Sequence, residues 1–291
     1  MTVNGSPGAA LRDLLARPEP LVLPGCADAL TAAIAVSAGF EAVYVTGAGV
    51  ANTQLGQPDV GLTTLTEVAA QVERMCDVVD VPVVVDVDTG FGNAINARRT
   101  VRTIERAGAA AVQIEDQLFP KRCGHFDGIE LVPQPEMVGK LRAVLDARAD
   151  PALVVVARTD AIGVEGLDRA VERASAYADA GADLVFVEAP PDRDALAALP
   201  QRIAAPLVAN MVEGGRTPLL TVAELGALGY RVVLFANTAL RVGAAAVRSA
   251  LTDLRATGDA GRLIDRMLSW DERQELVGLD RIRALERRYQ G

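Results

Sequence analysis

Short runs rich in Val, Ile and Leu recur along the chain, and between them lie longer stretches whose apolar residues fall at three- and four-residue intervals. Eight runs read as buried parallel strands: Leu21–Leu23, Ala42–Val45, Val83–Val87, Ala111–Ile114, Leu153–Ala157, Leu184–Val187, Leu207–Ala209 and Val232–Phe235. The intervening stretches Ala29–Ala38, Thr64–Val79, Ala94–Ala107, Gln134–Ala147, Leu167–Ala180, Arg193–Ile203 and Val222–Leu228 have helical spacing. An internal repeat supports the alternation. Ala38-Gly39, Ala107-Gly108, Ala180-Gly181 and Leu228-Gly229 each close a helical stretch just before a strand, where glycine supplies the left-handed residue that ends a helix. Thr64-x-x-Glu67 and Thr221-x-x-Glu224 are capping boxes. Eight such units predict an α/β protein, a (β/α)8 barrel of the TIM type over about residues 18–256 of a single domain spanning 1–291. Beyond it, Ala239–Ala256 and the charged segment Asp271–Arg288 predict extra C-terminal helices.

Parallel strands covered on both faces are apolar throughout, so charges at their ends need a reason. Here polar residues collect at the carboxyl ends: Asp86 and Asp88, Glu115 and Asp116, Arg158 and Asp160, Glu188, Asn210, and then Asn237 and Arg241. That is the face on which barrel enzymes build their sites. A single acid at a strand end is as easily a solvated terminus, but six strand ends together are not. Alternation along a strand puts Asp86 and Asp88 on one side, and two carboxylates in one pocket require a proton or a cation. Oxygen donors select a hard ion, Mg2+ with Mn2+ as the substitute, and Glu115 is placed to complete the shell or hold a metal-bound water. Zinc is disfavoured, because His125 is the only histidine and no Cys/His spacing suits it.

The connection after the fourth strand, Gln117 to Pro133, is unusually long. Within it Cys123 stands beside Lys121, Arg122 and His125, surroundings that lower a thiol's pKa and make it a usable acid, and Gly124 and Gly128 allow the loop to close as a lid. Cys76, inside an amphipathic helical stretch, reads as a small buried hydrophobe, while Cys26 near the end of the first strand is undecided.

Composition narrows the partners. The formal charge of the 291-residue chain is -9, a field that repels nucleic acid and anionic membranes. Three cysteines are too few and too scattered for a disulfide framework, which fits a reducing cytoplasm. The start lacks a signal-peptide pattern, and no apolar run is long enough for a membrane helix, so a soluble, unprocessed chain is expected.

Several stretches together resemble the isocitrate lyase and phosphoenolpyruvate mutase superfamily: Val45–Gly49, Leu55–Asp59, Asp86–Gly92, Ile114–Gln117, Pro120–His125 and Ala157–Asp160. The likeness spans nearly the whole chain. It implies an α/β barrel, Mg2+ dependence, a mobile gating loop, and homotetramers in which C-terminal helices are exchanged between subunits. The Cys-Gly-His loop is similar to that of the branch that includes 2-methylisocitrate lyase. That branch implies carbon–carbon cleavage of a 2-hydroxy di- or tricarboxylate to a 2-oxo acid such as pyruvate and a second carboxylate, with Cys123 protonating the enolate-type intermediate. On this reading Tyr44 helps remove the hydroxyl proton. Thr46, Gly47 and Ala48 offer donors to the hydroxyl end, and Lys121, His125, Arg158 and Arg241 balance the carboxylates. Asn210 and Glu188 orient them, and Asp59 and Gly124 complete the substrate contacts. Arg158 also has an alternative as an ion pair with Asp160.

Pro120–Gly128 and Ala209–Pro218 are similar as well to carboxyphosphonoenolpyruvate phosphonomutase, which keeps carbon–phosphorus chemistry on a phosphonate substrate as the alternative. Gln113, where lyases often carry His, and Phe235–Thr238, closer to the mutase pattern, leave the substrate open. Oxaloacetate hydrolysis or decarboxylation, and a non-catalytic metal-binding barrel, are the remaining readings.

Overall fold

A computed structural model describes residues 5–124, 126 and 128–290; His125, one of the residues singled out above, lies outside them. In chain order the elements are α1 (Pro7–Leu15), β1 (Leu21–Cys26), α2 (Ala29–Ser37), β2 (Val43–Val45), α3 (Gly47–Val50), α4 (Leu65–Cys76), β3 (Val83–Asp86), α5 (Ala94–Arg106), β4 (Ala111–Glu115), α6 (Gln134–Ala147), β5 (Val154–Thr159), α7 (Ile162–Glu165), α8 (Leu167–Asp179), β6 (Leu184–Val187), α9 (Arg193–Arg202), β7 (Leu207–Asn210), α10 (Val222–Leu228), β8 (Val232–Phe235), α11 (Thr238–Thr257), α12 (Trp270–Leu276) and α13 (Leu279–Tyr289). The strands pair in parallel in sequence order, and β8 returns to β1 to close the barrel. Closure removes both sheet edges, so every strand is paired on two sides.

All eight strands and the helices between them fall where hydrophobic periodicity places them, with ends shifted by a few residues. The repeated glycines do what their position requires: Gly39, Gly108, Gly181 and Gly229 have φ of 94°, 102°, 107° and 105°. Both capping boxes form, on α4 and α10, and further boxes on α5 and α12 use Asn93 with Asn96 and Ser269 with Glu272.

Alternation along the strands sorts the core. Tyr44, Val84, Val156, Phe186, Val208 and Leu234 point inward to one cluster. Their neighbours Val43, Val85, Val155 and Ala157 point outward to the helices. Leu11 of α1 joins the inner cluster, so α1 plugs the amino-terminal end of the barrel. Arg12 ties that plug down through the Ala152 carbonyl at 2.8 Å and Asp183 at 2.8 Å.

Two regions differ from expectation. Residues 47–55 form a helical turn, α3, continued as a π turn to Leu55, which no periodicity marks because the stretch is short. The segment Asp271–Arg288 is not one helix; Gly278, at φ 73°, splits it into α12 and α13. None of the side chains of α11, α12 or α13 is buried within the chain, and Val242, Val247, Leu251, Met267 and Trp270 stand exposed. Among the described residues no helix is long and apolar enough to cross a membrane.

Barrel closure depends on Gly25, where β1 approaches β8 so closely that a Cβ would overlap the Ala236 backbone. Gly25→Ala is expected to cost about 3 kcal/mol or more, since the obstacle is main chain that cannot swing away. A midpoint shift in urea unfolding measures it; a variant as stable as the parent refutes this account of closure.

Candidate active site

The same alternation that builds the inner core builds the site. Two residues beyond each inward core residue, at the open end of the barrel, stand Asp86 after Val84, Arg158 after Val156, Glu188 after Phe186 and Asn210 after Val208. Glu115 follows Gln113 on β4 in the same way. With Tyr44, Thr46, Ala48, Asp59, Cys123 and Gly124 most of these side chains line one cavity of about 40 Å3. Phe186, Val212, Leu234, Ala236 and Asn237 line it too. Of these five only Asn237 was noted from the sequence, as a polar residue at a strand end. The register that puts Glu188 and Asn210 in the cavity also exposes Phe186 and Leu234 to it, which was the available signal.

Asp88 reaches the site by a different route from the one alternation suggests. β3 ends at Asp86, and Asp88 sits in a turn with φ 49°, its amide donating to Asp86 Oδ1 at 3.1 Å. Its carbonyl accepts from Glu115 N at 2.9 Å. The turn is further held where the Thr89 carbonyl accepts from Lys140 Nζ at 3.2 Å and the Gly90 carbonyl from Thr100 Oγ1 at 3.1 Å. Gly47 faces the two acids: a Cβ there would lie 3.0 Å from Asp86 Oδ2 and 3.1 Å from Asp88 Oδ1, so both oxygens converge on one point kept open by the missing side chain. Burial, then the charges of Asp86 and Asp59, raise the Asp88 pKa to about 6 despite the relief from Lys121.

Lys121 is ion-paired within the site. It is 4% exposed, and its Nζ lies 2.6 Å from Asp59 Oδ1 and 2.7 Å from Asp88 Oδ1. Burial alone would lower its pKa, but Asp88, Glu115, Asp59 and Asp86 hold it well above the usual lysine value. Lys121 is therefore a built-in counter-ion to the acid pair, drawn away from the position beside Cys123 that adjacency in sequence suggested. The Cys123 amide donates to the Asp59 carbonyl at 3.2 Å, and its side chain lines the cavity.

Arg158 realises the alternative set against its substrate role. Its guanidinium donates to Asp160 at 2.9 and 2.7 Å and lies 3.3 Å from Glu115 and 3.4 Å from Glu188. Asp160 lies just beyond the end of β5, outside the strand's regular geometry. Arg158 still lines the cavity, but as the centre of a carboxylate cluster and over the Phe186 ring at 5.2 Å. Glu115, 1% exposed, uses one oxygen for Arg158; its other oxygen, Oε1, has no hydrogen-bond partner among the described residues. Burial raises its pKa well above the usual range. Asn210 donates to Glu188 Oε2 at 3.3 Å and its own Oδ1 is unpartnered among the described residues. Thr46 caps α3 and donates to Asn237 Oδ1 at 3.4 Å.

Two expectations change. Arg241 stands on α11, paired with Glu213, and lines a separate groove with Val242 and Arg248; one turn of helix past the strand end carries it out of the cavity. Tyr44 is fully buried, and burial followed by the Asp86 charge pushes its pKa well above the usual tyrosine value. It is a neutral phenol, unsuited to taking a proton as phenolate.

The phosphoenolpyruvate phosphomutase family model matches residues 11–255. Over 281 residues the chain is 44% identical to a 2,3-dimethylmalate lyase of Eubacterium barkeri, covering 97% of each chain. Over 272 residues it is 44% identical to a 2-methylisocitrate lyase of Aeropyrum pernix, covering 94% of this chain and 87% of that one. The chain belongs to the phosphoenolpyruvate mutase/isocitrate lyase superfamily. Both of these relatives are lyases, and a crystal structure of 2,3-dimethylmalate lyase superposes with a TM-score of 0.93 at 37% identity, covering 99% of this chain and 97% of that one. A phosphonopyruvate hydrolase complex with oxalate and Mg2+ superposes at 0.88 with 32% identity, covering 99% and 100%.

Among this superfamily member's three cysteines, Cys123 alone lines the cavity. Cys26 is sealed between strands and burial pushes its thiol up to about 12, while Cys76, half-buried at the end of α4, is pushed to about 11.

Gly124 lets the Cys123 loop settle on the carboxylate cluster: a Cβ there would lie 2.6 Å from Asp160 Oδ1 and 2.6 Å from Glu188 Cγ. Gly124→Ala is expected to lift the loop and lower kcat at least tenfold with little loss of thermal stability. Steady-state kinetics beside a melting curve measure it; unchanged kcat means that the loop does not have to sit this low.

Proposed function

We propose that the chain is a divalent-cation-dependent carbon–carbon lyase. It cleaves a small 2-hydroxy di- or tricarboxylate of the 2-methylisocitrate or 2,3-dimethylmalate kind to a 2-oxo acid and a second carboxylate. The observation that carries this reading is the meeting of Cys123 with Asp86, Arg158 and Asn210 in one cavity, a thiol facing a carboxylate site.

The residues fit a hard cation. Asp86 and Asp88 converge on the space that Gly47 leaves open, and Glu115 Oε1 is an unused buried oxygen. Mg2+ is commonly held by one or two carboxylates, with waters and substrate filling its shell, which two converging acids can supply. Asp86 and Asp88 would hold it, with Mn2+ as substitute, and when bound it neutralises the charge that develops on the substrate's oxygens.

The chain's own groups do the rest. The substrate hydroxyl loses its proton to a carboxylate of the cavity wall, with Tyr44, which lines the same cavity, relaying it. The carbon–carbon bond then breaks, its electron pair passing to the carbon beside the second carboxylate while the hydroxyl carbon becomes the 2-oxo carbon. Cys123 delivers a proton to that carbanion, and the thiolate regains one before the next turnover. Arg158, although shared with Asp160, keeps its positive charge and with Asn210 orients the carboxylates. The exposed apolar residues of α11 and the C-terminal helices are the surface through which helix-exchanged subunits would assemble into a tetramer.

The test is an NMR assay observing protons and phosphorus together, with Mg2+ and a panel of 2-methylisocitrate, 2,3-dimethylmalate, isocitrate, oxaloacetate, phosphonopyruvate and carboxyphosphonoenolpyruvate. Appearance of a 2-oxo acid and a partner carboxylate without a phosphorus change is expected; a shifted phosphorus resonance makes the chain a phosphonate enzyme. Cys123→Ser should lower turnover by about a hundredfold or more while leaving cation binding intact, and near-parental activity removes the thiol from the mechanism.

The acid pair also sets a pH dependence. Because the folded Asp88 pKa is raised to about 6, proton binding stabilises the fold at low pH, and that contribution fades as pH rises through 6. The cation takes over above this point, so 10 mM Mg2+, roughly a cellular excess over a weak site, should raise Tm more at pH 7.5 than at pH 5. Equal gains at both values would show that Asp88 is not part of the cation site.

A further inference from the structure

The loop that carries Cys123 is tied at its base by one side chain to which no role has been given. Gln117, 1% exposed, lies two residues past the end of β4. Its Oε1 accepts from Arg122 N at 2.9 Å and its Nε2 donates to the Arg122 carbonyl at 2.9 Å. Only this orientation of the amide satisfies both bonds, so the side chain is fixed by its partners. The two groups it grips belong to the two peptide planes flanking Arg122. One leads back to Lys121, the other forward to Cys123. Gln117 itself is anchored from the other side: it bridges to Leu131 in antiparallel fashion, and Leu118 N donates to the Glu130 carbonyl at 2.7 Å.

We propose that Gln117 is a positioning residue for Cys123, a buried amide that fixes the two peptide planes through which Lys121 is aimed at the acid pair and Cys123 at the cavity. A glutamine is suited to this because it alone among uncharged side chains of its length offers both a donor and an acceptor to one backbone residue. Burial makes the grip effective, since a leaving partner would strand a polar group away from water. The strong tie is local to residues 117–122. Beyond it the loop rests on the Asp59 carbonyl and on the contact of Gly124 with the carboxylate cluster. This inference rests on the reading of Cys123 as the proton donor only for its consequence in turnover; the geometric part stands apart from it.

The experiment uses the full chain with Mg2+ and two variants. Gln117→Leu removes both bonds, and Gln117→Glu keeps the size and the acceptor but loses the donor to the Arg122 carbonyl. Alkylation of Cys123 by iodoacetamide, followed by peptide mass spectrometry, reads the thiol's placement without any need for turnover. The rate is expected to rise roughly tenfold in Gln117→Leu and less in Gln117→Glu, in line with the loss of two and one buried hydrogen bonds. On the most active substrate of the panel, kcat should fall by about a hundredfold with KM within threefold, as expected when a reacting group is displaced rather than the binding surface lost. A parental alkylation rate in both folded variants overturns the proposal, whatever happens to kcat. Faster alkylation with parental kcat supports the positioning role and instead sinks Cys123 as the proton donor.

Discussion

Closing eight strands into a barrel brings Asp59, Asp86, Asp88, Glu115, Asp160 and Glu188 to one small opening, and the rest of the site is organised by their mutual repulsion. Water cannot screen them there, because the cavity is about 40 Å3 and most of the carboxylates are buried. Lys121 and Arg158 enter among them as bound counter-ions, each touching more than one acid. What remains is an excess of negative charge around Asp86 and Asp88, the condition under which a cation binds and under which Asp88 titrates near neutrality.

This crowding also explains why the loop after β4 has to be built so carefully. It delivers a cation, Lys121, and a thiol, Cys123, into the same opening within three residues, so a small shift in the loop breaks an ion pair and moves the thiol together. Gly124 has no side chain because the cluster leaves no space for one, and the Gln117 amide grips the backbone between the two functional residues. Lys140, Thr100 and Glu115 perform a matching service for the turn that presents Asp88, each donating to a successive carbonyl.

The opposite face of the molecule follows different rules. The amino-terminal end of the barrel is closed by α1 with apolar packing and one arginine clasp. No side chain of α11, α12 or α13 is buried within the chain, and Val242, Leu251 and Trp270 stand exposed.

Much of this was legible in the residues alone, because strand and helix periods, helix-ending glycines and capping boxes are local signals, each decided within a few residues. Eight strands and the open end where polar residues gather follow from them, as do Asp86, Glu115, Cys123, Glu188 and Asn210 as residues of interest. Side-chain pairing is not local. Lys121 lies beside Cys123 in sequence but pairs with Asp59 and Asp88, and Arg158 divides itself among Asp160, Glu115 and Glu188. Arg241 follows a strand end in sequence yet leaves the cavity on the first turn of α11. The raised pKa of Tyr44 depends on burial beside an acid from another strand. Burial and through-space charge are properties of the closed barrel, and no stretch of sequence contains them.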